Sequence, residues 1–264
     1  MTPKAPPRDL RSRLMYKFGT DGMVVINERS RQRAVACHGI TFETDQVAEP
    51  GIDLDRFSPQ RKISEDRHSF GLKHNSFVVG IVSRIRESRR LDIPLKAIHA
   101  LANAHPQLQV LLVGRGREGA MEMVVEKPAR EMDILDRIVM AGYCEGDRLV
   151  AAYRAMDVLV YASPGSDKSC RTVREAMAAG IPVIAADIGF LPELIEDNAT
   201  GRLLDLSWES LAKILEELIQ DEIKVREMGH SSLKTAILRF SPLLQAERTL
   251  NFYQKLLGTG QFSP

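Results

Sequence analysis

Short apolar runs alternate with longer segments of helical period from Phe77 onward in this 264-residue chain. Each run is rich in Val, Ile or Leu, as strands buried on both faces are, and the alternation is typical of a parallel sheet with crossover helices. The runs are Phe77–Ser83, Leu108–Val113, Arg137–Gly142, Asp157–Ala162, Pro182–Ala186 and Gly201–Leu204. We therefore predict an α/β fold with a doubly wound, Rossmann-like parallel sheet of strand order 3-2-1-4-5-6.

Two helices of this pattern carry further expectations. The helix after the first run has Asp92 as a predicted N-cap. The final helix, near Leu243 to Leu257, offers apolar side chains for packing, and these are Leu244, Leu250, Tyr253 and Leu257.

Charge and cysteine usage exclude several classes of function. Lys plus Arg (36) nearly cancels Asp plus Glu (35), so we expect no nucleic-acid partner. The three cysteines and six histidines show no ligand spacing, so no metal site is expected.

No segment of the sequence is expected to cross a membrane. The apolar stretch Ala178 to Ile195 is interrupted by glycine, proline and acidic residues, and residues 1–20 lack an apolar block. We expect a cytoplasmic protein. The basic residues Arg8, Arg11, Arg13 and Lys17 leave peripheral contact with anionic lipid as an alternative to a solvated helix.

The predicted strand order fixes where a ligand binds, because such sheets bind ligands beyond the carboxyl ends of the strands at which the order reverses. One loop there, Arg84 to Arg90, carries four arginines. Guanidinium groups give paired hydrogen bonds to phosphate oxygens, so a diphosphate is the favoured ligand. The alternative is that these arginines are solvated or paired with Glu87 and Asp92.

The other loop, Ser163 to Ser169, leads into a helix whose first amides can bind an anion. Asp167 precedes that helix, and Glu175 lies on the helical face of Arg171 and Thr172. Both carboxylates can therefore reach ligand hydroxyls, although a single acid of this kind is more often a solvated charge.

The sequence around these acids is distinctive. It reads Asp167-Lys-Ser-Cys-Arg-Thr-Val-Arg-Glu175-Ala-Met-Ala-Ala-Gly180, followed by Leu191-Pro-Glu-Leu-Ile195 and Asn198-Ala-Thr-Gly201. It closely resembles the group 1 (family 4) retaining glycosyltransferases of the GT-B fold. The part resembled is the C-terminal donor-binding domain with a remnant of the N-terminal domain.

The resemblance implies roles for individual residues. The acidic pair, Asp167 and Glu175, would contact the donor sugar and the ribose. Arg84 and Arg89 would hold the diphosphate, with Arg90 as a substitute for Arg89; these two and the acidic pair are the catalytic candidates. Further donor-binding candidates are Gly114, Gly116, Tyr143, Cys144, Lys168, Ser169, Cys170, Arg171 and Thr172.

Three departures from the family pattern concern the donor site. Asp167 stands where glutamate is usual, Arg89 stands where lysine is usual, and Lys168-Ser169-Cys170 replaces Gly-Phe-Gly. Aspartate shortens the reach by one methylene, so it bears on the choice of donor sugar. The larger guanidinium of Arg89 needs a different approach to the phosphates.

The segment Gly114 to Gly119 spells a dinucleotide-binding fingerprint. It follows the second strand of the unit, whereas the fingerprint belongs after the first strand. We therefore expect no cofactor, only a nucleotide-sugar co-substrate of unknown base.

The expected domains are a remnant of the N-terminal acceptor domain and linker (1–60), the donor-binding domain (61–240) and a C-terminal helix packing toward the first domain (241–264). The chain would be the donor-binding part of a transferase that moves a hexose-type sugar to an unknown glycan or lipid acceptor, partnered by a separate N-terminal domain chain or a homo-oligomer. The alternatives are a non-catalytic nucleotide-sugar-binding remnant, one subunit of a split transferase, or a sugar-nucleotide epimerase.

Overall fold

The computed structural model describes residues 11, 14, 19–38, 45–59, 63–163 and 170–258. The chain divides into two compact units. The smaller unit combines Met1–Gly51 with Arg239–Pro264, and the larger unit is Ile52–Leu238. The predicted domain boundaries remain a prediction.

The helices and strands follow one another in a regular order. In chain order they are β1 (Met23–Val25), α1 (Glu28–His38), β2 (Asp45–Val47), α2 (Leu54–Phe57), α3 (Ile63–Ser69), β3 (Phe77–Val82), α4 (Asp92–Leu101), β4 (Leu108–Val113), α5 (Lys127–Glu131), β5 (Ile138–Gly142), α6 (Gly146–Arg154), β6 (Val158–Tyr161), α7 (Arg171–Ala178), β7 (Val183–Ala186), α8 (Leu191–Leu194), β8 (Gly201–Leu204), α9 (Trp208–Gln220), α10 (Glu222–Arg239) and α11 (Pro242–Leu256).

The larger unit is built on a parallel sheet of six strands. Their order is β5-β4-β3-β6-β7-β8, which is the predicted 3-2-1-4-5-6 arrangement. The predicted α/β fold class and Rossmann-like sheet are therefore confirmed. Strands β3 and β6, at which the order reverses, pair directly through Val79 with Val158 and Gly80 with Leu159.

Most predicted strand boundaries hold to within one or two residues. Strand β6 begins one residue later than predicted, at Val158. Asp157 uses its carboxylate to accept from the backbone amide of Val78 at 2.7 Å and from the Arg67 guanidinium at 2.6 Å. The side chain thus joins the start of β6 to β3 and to α3.

Apolar faces of the helices cover the sheet. Helices α4 and α9 pack together, and their stripes, including Leu95, Ile98, Leu211 and Leu215, are buried in one core cluster with β3 and β4. The prediction for Asp92 was wrong in detail. Asp92 is the first helical residue and Leu91 occupies the N-cap, because the Asp92 carboxylate is used by Arg90.

The smaller unit contains the two-stranded parallel sheet of β1 and β2, with α11 packed on β2. Phe252 of α11 is buried, whereas the predicted packing residues Leu250, Tyr253 and Leu257 are exposed and Leu244 is half-buried. That this helix packs toward the first domain remains a prediction. No helix in the described part of the chain is long and apolar enough to cross a membrane.

Candidate functional site

Arg89 lies in the loop that follows β3 and contacts the carboxyl end of the neighbouring strand β6. Arg89 is only 6% exposed, and its Nη1 donates to the Tyr161 hydroxyl at 3.4 Å and to Ser163 Oγ at 3.1 Å. A pocket opens here whose lining includes Ser83, Arg89, Pro94, Tyr161 and Ser163. A predicted diphosphate-binding side chain thus lies at the point where the strand order reverses.

The other arginines of this loop are arranged differently. Arg84 and Arg86 are exposed. Arg90 adopts a left-handed backbone with a φ of 52° and pairs with Asp92, its Nε lying 2.9 Å from Oδ1. The pKa of Arg90 is raised because it donates hydrogen bonds to that carboxylate. Arg90 therefore forms the ion pair with Asp92 that the sequence offered as an alternative to phosphate binding. Arg89 instead points toward the carboxyl end of the sheet.

Backbone hydrogen bonds join the loops that follow β3, β4 and β5. Ser83 N donates to Val113 O at 3.0 Å, Ile85 N to Arg115 O at 3.0 Å, and Gly114 N to Gly142 O at 2.8 Å. The arginine loop is thus tied to the Gly114–Gly116 turn, and that turn is tied to the segment from Gly142 onward.

Gly114 makes the first of these contacts sterically possible. Its φ is 146°, and a Cβ atom at this position would stand 1.8 Å from the carbonyl oxygen of Ser83. No side chain fits at that distance, so the close approach of the two loops requires glycine.

Tyr143 stands beyond the end of β5 with an exposed ring. The guanidinium of Arg115 lies 4.6 Å from the centre of that ring, a cation–π arrangement. The neighbouring Cys144 is buried, and its Sγ faces the carbonyl groups of Ala141 and Gly142 at 3.8 and 3.9 Å. Arg115 is not among the predicted site residues.

Helix α7 begins at Arg171, directly after Cys170. Cys170 is buried and has a φ of 39°, in the left-handed region where glycine is the favoured residue. Cys170 thus adopts a backbone conformation that favours glycine, the residue that the resemblance implies at this position. The predicted residues Asp167, Lys168 and Ser169 lie outside the described residues.

Glu175 is 4% exposed and is held by two side chains. Tyr153 donates from its hydroxyl to Oε2 at 2.9 Å, and Arg171 donates from Nε to Oε1 at 2.8 Å. Burial, and then the charge of Glu175, raise the pKa of Tyr153 well above its ordinary value. The tyrosine is therefore protonated and can act as the donor of this hydrogen bond.

Three functional candidates escaped sequence reasoning, namely Arg115, Tyr153 and Tyr161. Tyr161 could have been found from its place at the carboxyl end of β6, next to the predicted loop that begins at Ser163. Tyr153 gave no signal, since a tyrosine on the apolar face of an amphipathic helix looks like an ordinary core residue.

Similarity to known proteins extends over most of the chain. The family described as "Glycosyl transferases group 1" matches residues 62–235. A D-inositol 3-phosphate glycosyltransferase of Mycolicibacterium vanbaalenii is 32% identical over 215 residues, which are 77% of this chain and 46% of that protein. One from Nocardia farcinica is 30% identical over 90% of this chain and 53% of its own length. The chain spans about half the length of these curated relatives.

Solved structures agree with this similarity. Anabaena HepE in complex with UDP and glucose has a TM-score of 0.80 at 25% identity, covering 92% of this chain and 65% of HepE. The C-terminal domain of LpcC, a group 1 glycosyltransferase family protein from Francisella tularensis, shares the fold with a TM-score of 0.66. That domain is covered over its whole length (100%) by 73% of this chain, at 21% identity.

Proposed function

Because this chain belongs to the group 1 (family 4) glycosyltransferases, we propose that it forms the donor-binding part of a retaining, nucleotide-sugar-dependent transferase. The transferred group is a hexose-type sugar, and the acceptor is a glycan or a lipid. The larger unit holds the donor at the carboxyl edge of its sheet.

One observation carries the proposal: Arg89 is buried at the reversal of the strand order, hydrogen-bonded to two hydroxyl groups. A guanidinium shielded from water stabilises a departing diphosphate more strongly than a solvated one does. Arg84 adds positive charge from the exposed part of the loop, while Asp167 and Glu175 take the sugar and ribose hydroxyls. The other donor-binding candidates keep their proposed roles. Arg90 is a weaker candidate than Arg89 for the diphosphate, because its guanidinium pairs with Asp92.

A uridine diphosphate sugar is the first donor to test. HepE, at 25% identity, binds UDP and glucose. The Arg115–Tyr143 pair offers a flat, cationic surface beside the Gly142–Cys144 segment, on which a nucleobase can stack.

We propose that residues 1–60 are the end of an acceptor-binding domain and that the final helix, 241–264, packs toward that domain. Parallel sheets are normally covered on both faces and contain more than two strands, which supports β1 and β2 as part of a larger sheet.

The second candidate function is a nucleotide-sugar-binding remnant without turnover, or one subunit of a split transferase. Supplying an upstream acceptor domain identifies a remnant: restored transfer indicates an enzyme half or a subunit of a split transferase, and continued absence of transfer with intact donor binding indicates a remnant.

A thermal-shift panel of UDP-, GDP-, ADP- and CMP-sugars tests donor binding directly. A ligand at about 100 times its Kd stabilises the folded chain by about 2.7 kcal/mol, so the correct base produces the largest rise in melting temperature. Stabilisation by none of these ligands would contradict the proposal.

Single substitutions test the assigned site. We expect Arg84→Ala, Arg89→Ala and Glu175→Ala each to weaken UDP binding in calorimetry by more than about tenfold, or about 1.4 kcal/mol. Arg86→Ala is the matched control, because it removes the same charge from an exposed position of the same loop. Equal losses in Arg86→Ala and Arg89→Ala would mean that only the overall charge matters.

A further inference from the structure

The two oxygens of Glu175 are held by side chains of opposite burial. Tyr153, which donates to Oε2 at 2.9 Å, is 0% exposed. Arg171, which donates to Oε1 at 2.8 Å, has 74% of its side chain exposed. One oxygen therefore has a fixed partner inside the protein, and the other has a partner that reaches it from solvent.

Tyr153 is itself held firmly in place. It lies near the end of α6, and its ring meets that of Phe57 edge to face with the centroids 5.8 Å apart. A second acceptor, the carbonyl oxygen of Thr172, lies at 3.4 Å, beyond the usual range of a hydroxyl hydrogen bond. The proton of Tyr153 is therefore directed to the Glu175 carboxylate, which is both nearer and charged.

The partner of Oε1 is replaceable. Arg171 has 74% of its side chain in solvent, so its guanidinium returns to water when it leaves Oε1. A ligand hydroxyl that donates to Oε1 can take its place, so that the buried carboxylate keeps a donor on that oxygen. No such exchange is open to Tyr153, since it would leave a buried hydroxyl without its acceptor.

We infer that Tyr153 is the positioning residue of Glu175, fixing Oε2 so that Oε1 is presented to the ribose hydroxyls of a nucleoside diphosphate. This rests on the proposed function, in which Glu175 binds the ribose. Tyr153 touches no ligand in this arrangement and acts only through the carboxylate. Helix α6, which carries Tyr153, begins directly after the Gly142–Glu145 segment. It therefore links the proposed base site to Glu175, the carboxylate proposed to bind the ribose.

The test compares UDP with 2′,3′-dideoxy-UDP by calorimetry on the full chain. The Kd of the dideoxy analogue divided by the Kd of UDP measures what the ribose hydroxyls contribute to binding. We expect Tyr153→Phe to weaken UDP binding by about fivefold or more, to leave the dideoxy analogue unchanged, and so to reduce the ratio. The ring and its contact with Phe57 remain, and the melting temperature checks that the variant is folded.

Tyr161→Phe is the matched control. It removes the hydroxyl of another buried tyrosine, one that contacts Arg89 instead of Glu175. We expect it to weaken both ligands equally and to keep the ratio. If Tyr153 has a purely structural role, Tyr153→Phe lowers the melting temperature but leaves the ratio as in the unmodified chain. That result would overturn the inference.

Glu175→Gln distinguishes the two levels of the argument. If it preserves the ratio, the ribose contact assigned to Glu175 is wrong and the inference falls with it. If Glu175→Gln reduces the ratio and Tyr153→Phe does not, the proposed function stands and only the positioning role of Tyr153 is overturned.

Discussion

At the scale of single residues, the candidate site uses two buried tyrosines in opposite senses. Tyr153 donates a hydrogen bond to a carboxylate, and Tyr161 accepts one from a guanidinium. Phenylalanine fills the same volume but leaves each charged group with one partner fewer in a place that water does not reach. Loss of a hydrogen bond to a buried charge generally costs about 1.5–3 kcal/mol.

The raised pKa of Tyr153 makes its contribution to stability depend on pH. Burial holds the folded-state pKa above the unfolded value of about 10, so this contribution is complete below about pH 10 and is lost as the pH rises through the folded pKa. We expect urea unfolding to separate Tyr153→Phe from the unmodified chain at about pH 8 and to separate them less at about pH 10.5. Tyr143→Phe, at an exposed ring, controls for general alkaline destabilisation; a constant difference would contradict the linkage.

Cys170 gives a second prediction at this scale. Its left-handed φ of 39° strains any residue with a Cβ, by about 1–2 kcal/mol in general. Cys170→Ala loses the buried sulfur and keeps the strain, whereas Cys170→Gly loses the sulfur and relieves it. We expect the glycine variant to be at least as stable as the alanine variant in urea unfolding, the reverse of the order found in ordinary backbone. A clearly more stable alanine variant would refute the strain.

At the scale of elements, the close packing of the loops after β3 and β4 depends on the contact between Gly114 and Ser83. We expect Gly114→Ala to destabilise the larger unit by about 3 kcal/mol or more and to weaken UDP binding, because the arginine loop must move away from the turn. Gly119→Ala is the matched control. Its φ of 71° is also positive but lies close to the left-handed region that other residues can adopt, and nothing lies within 4 Å of the added Cβ. Equal losses of unfolding free energy in the two variants would show that the contact is unimportant.

Strands and helices differ in how far the sequence foretells them. Four strands, β3, β4, β6 and β7, were predictable because each is buried on both faces and is therefore a nearly continuous apolar run. The face of α11 was not, because the helix has apolar side chains on two sides and only the tertiary partner decides which one is covered. Phe252 is covered, and Leu250 is not.

The candidate site was predictable to the extent that position along a strand determines it. The rule for the reversal of strand order led to Arg89, and the family motif led to Glu175. Arg171, a partner of Glu175, lies one helical turn away, and Tyr161, a partner of Arg89, stands at the end of a predicted strand. Tyr153, the other partner of Glu175, comes from α6, and no local pattern marks it. The different fates of Arg89 and Arg90, adjacent in sequence, likewise follow from the left-handed turn at Arg90.

At the scale of the whole molecule, the smaller unit exposes a row of large apolar side chains along α11. Leu243, Leu250, Tyr253 and Leu257 are all more than half exposed, and they recur at helical spacing. Such a row is typical of a surface that another part of a protein covers. The relatives, about twice as long as the matched segment, carry further chain that can do so.

The two faces of α11 should respond differently to substitution. We expect Leu250→Glu to change the free energy of unfolding of this chain by no more than about 0.5 kcal/mol, and Phe252→Ala to cost about 3–5 kcal/mol. Urea unfolding of the smaller unit measures both. A loss in Leu250→Glu as large as that in Phe252→Ala would place the exposed row in a core.

The backbone bonds that join the loops after β3, β4 and β5 bear on any attempt to redesign this protein for another donor. Grafting one loop from a different transferase would sever its links to the next one, since Ser83, Ile85 and Gly114 each donate across a loop boundary. Because the three loops are joined by these hydrogen bonds, they have to be replaced together. We therefore expect a change in the proposed phosphate-binding loop to alter the proposed base site as well.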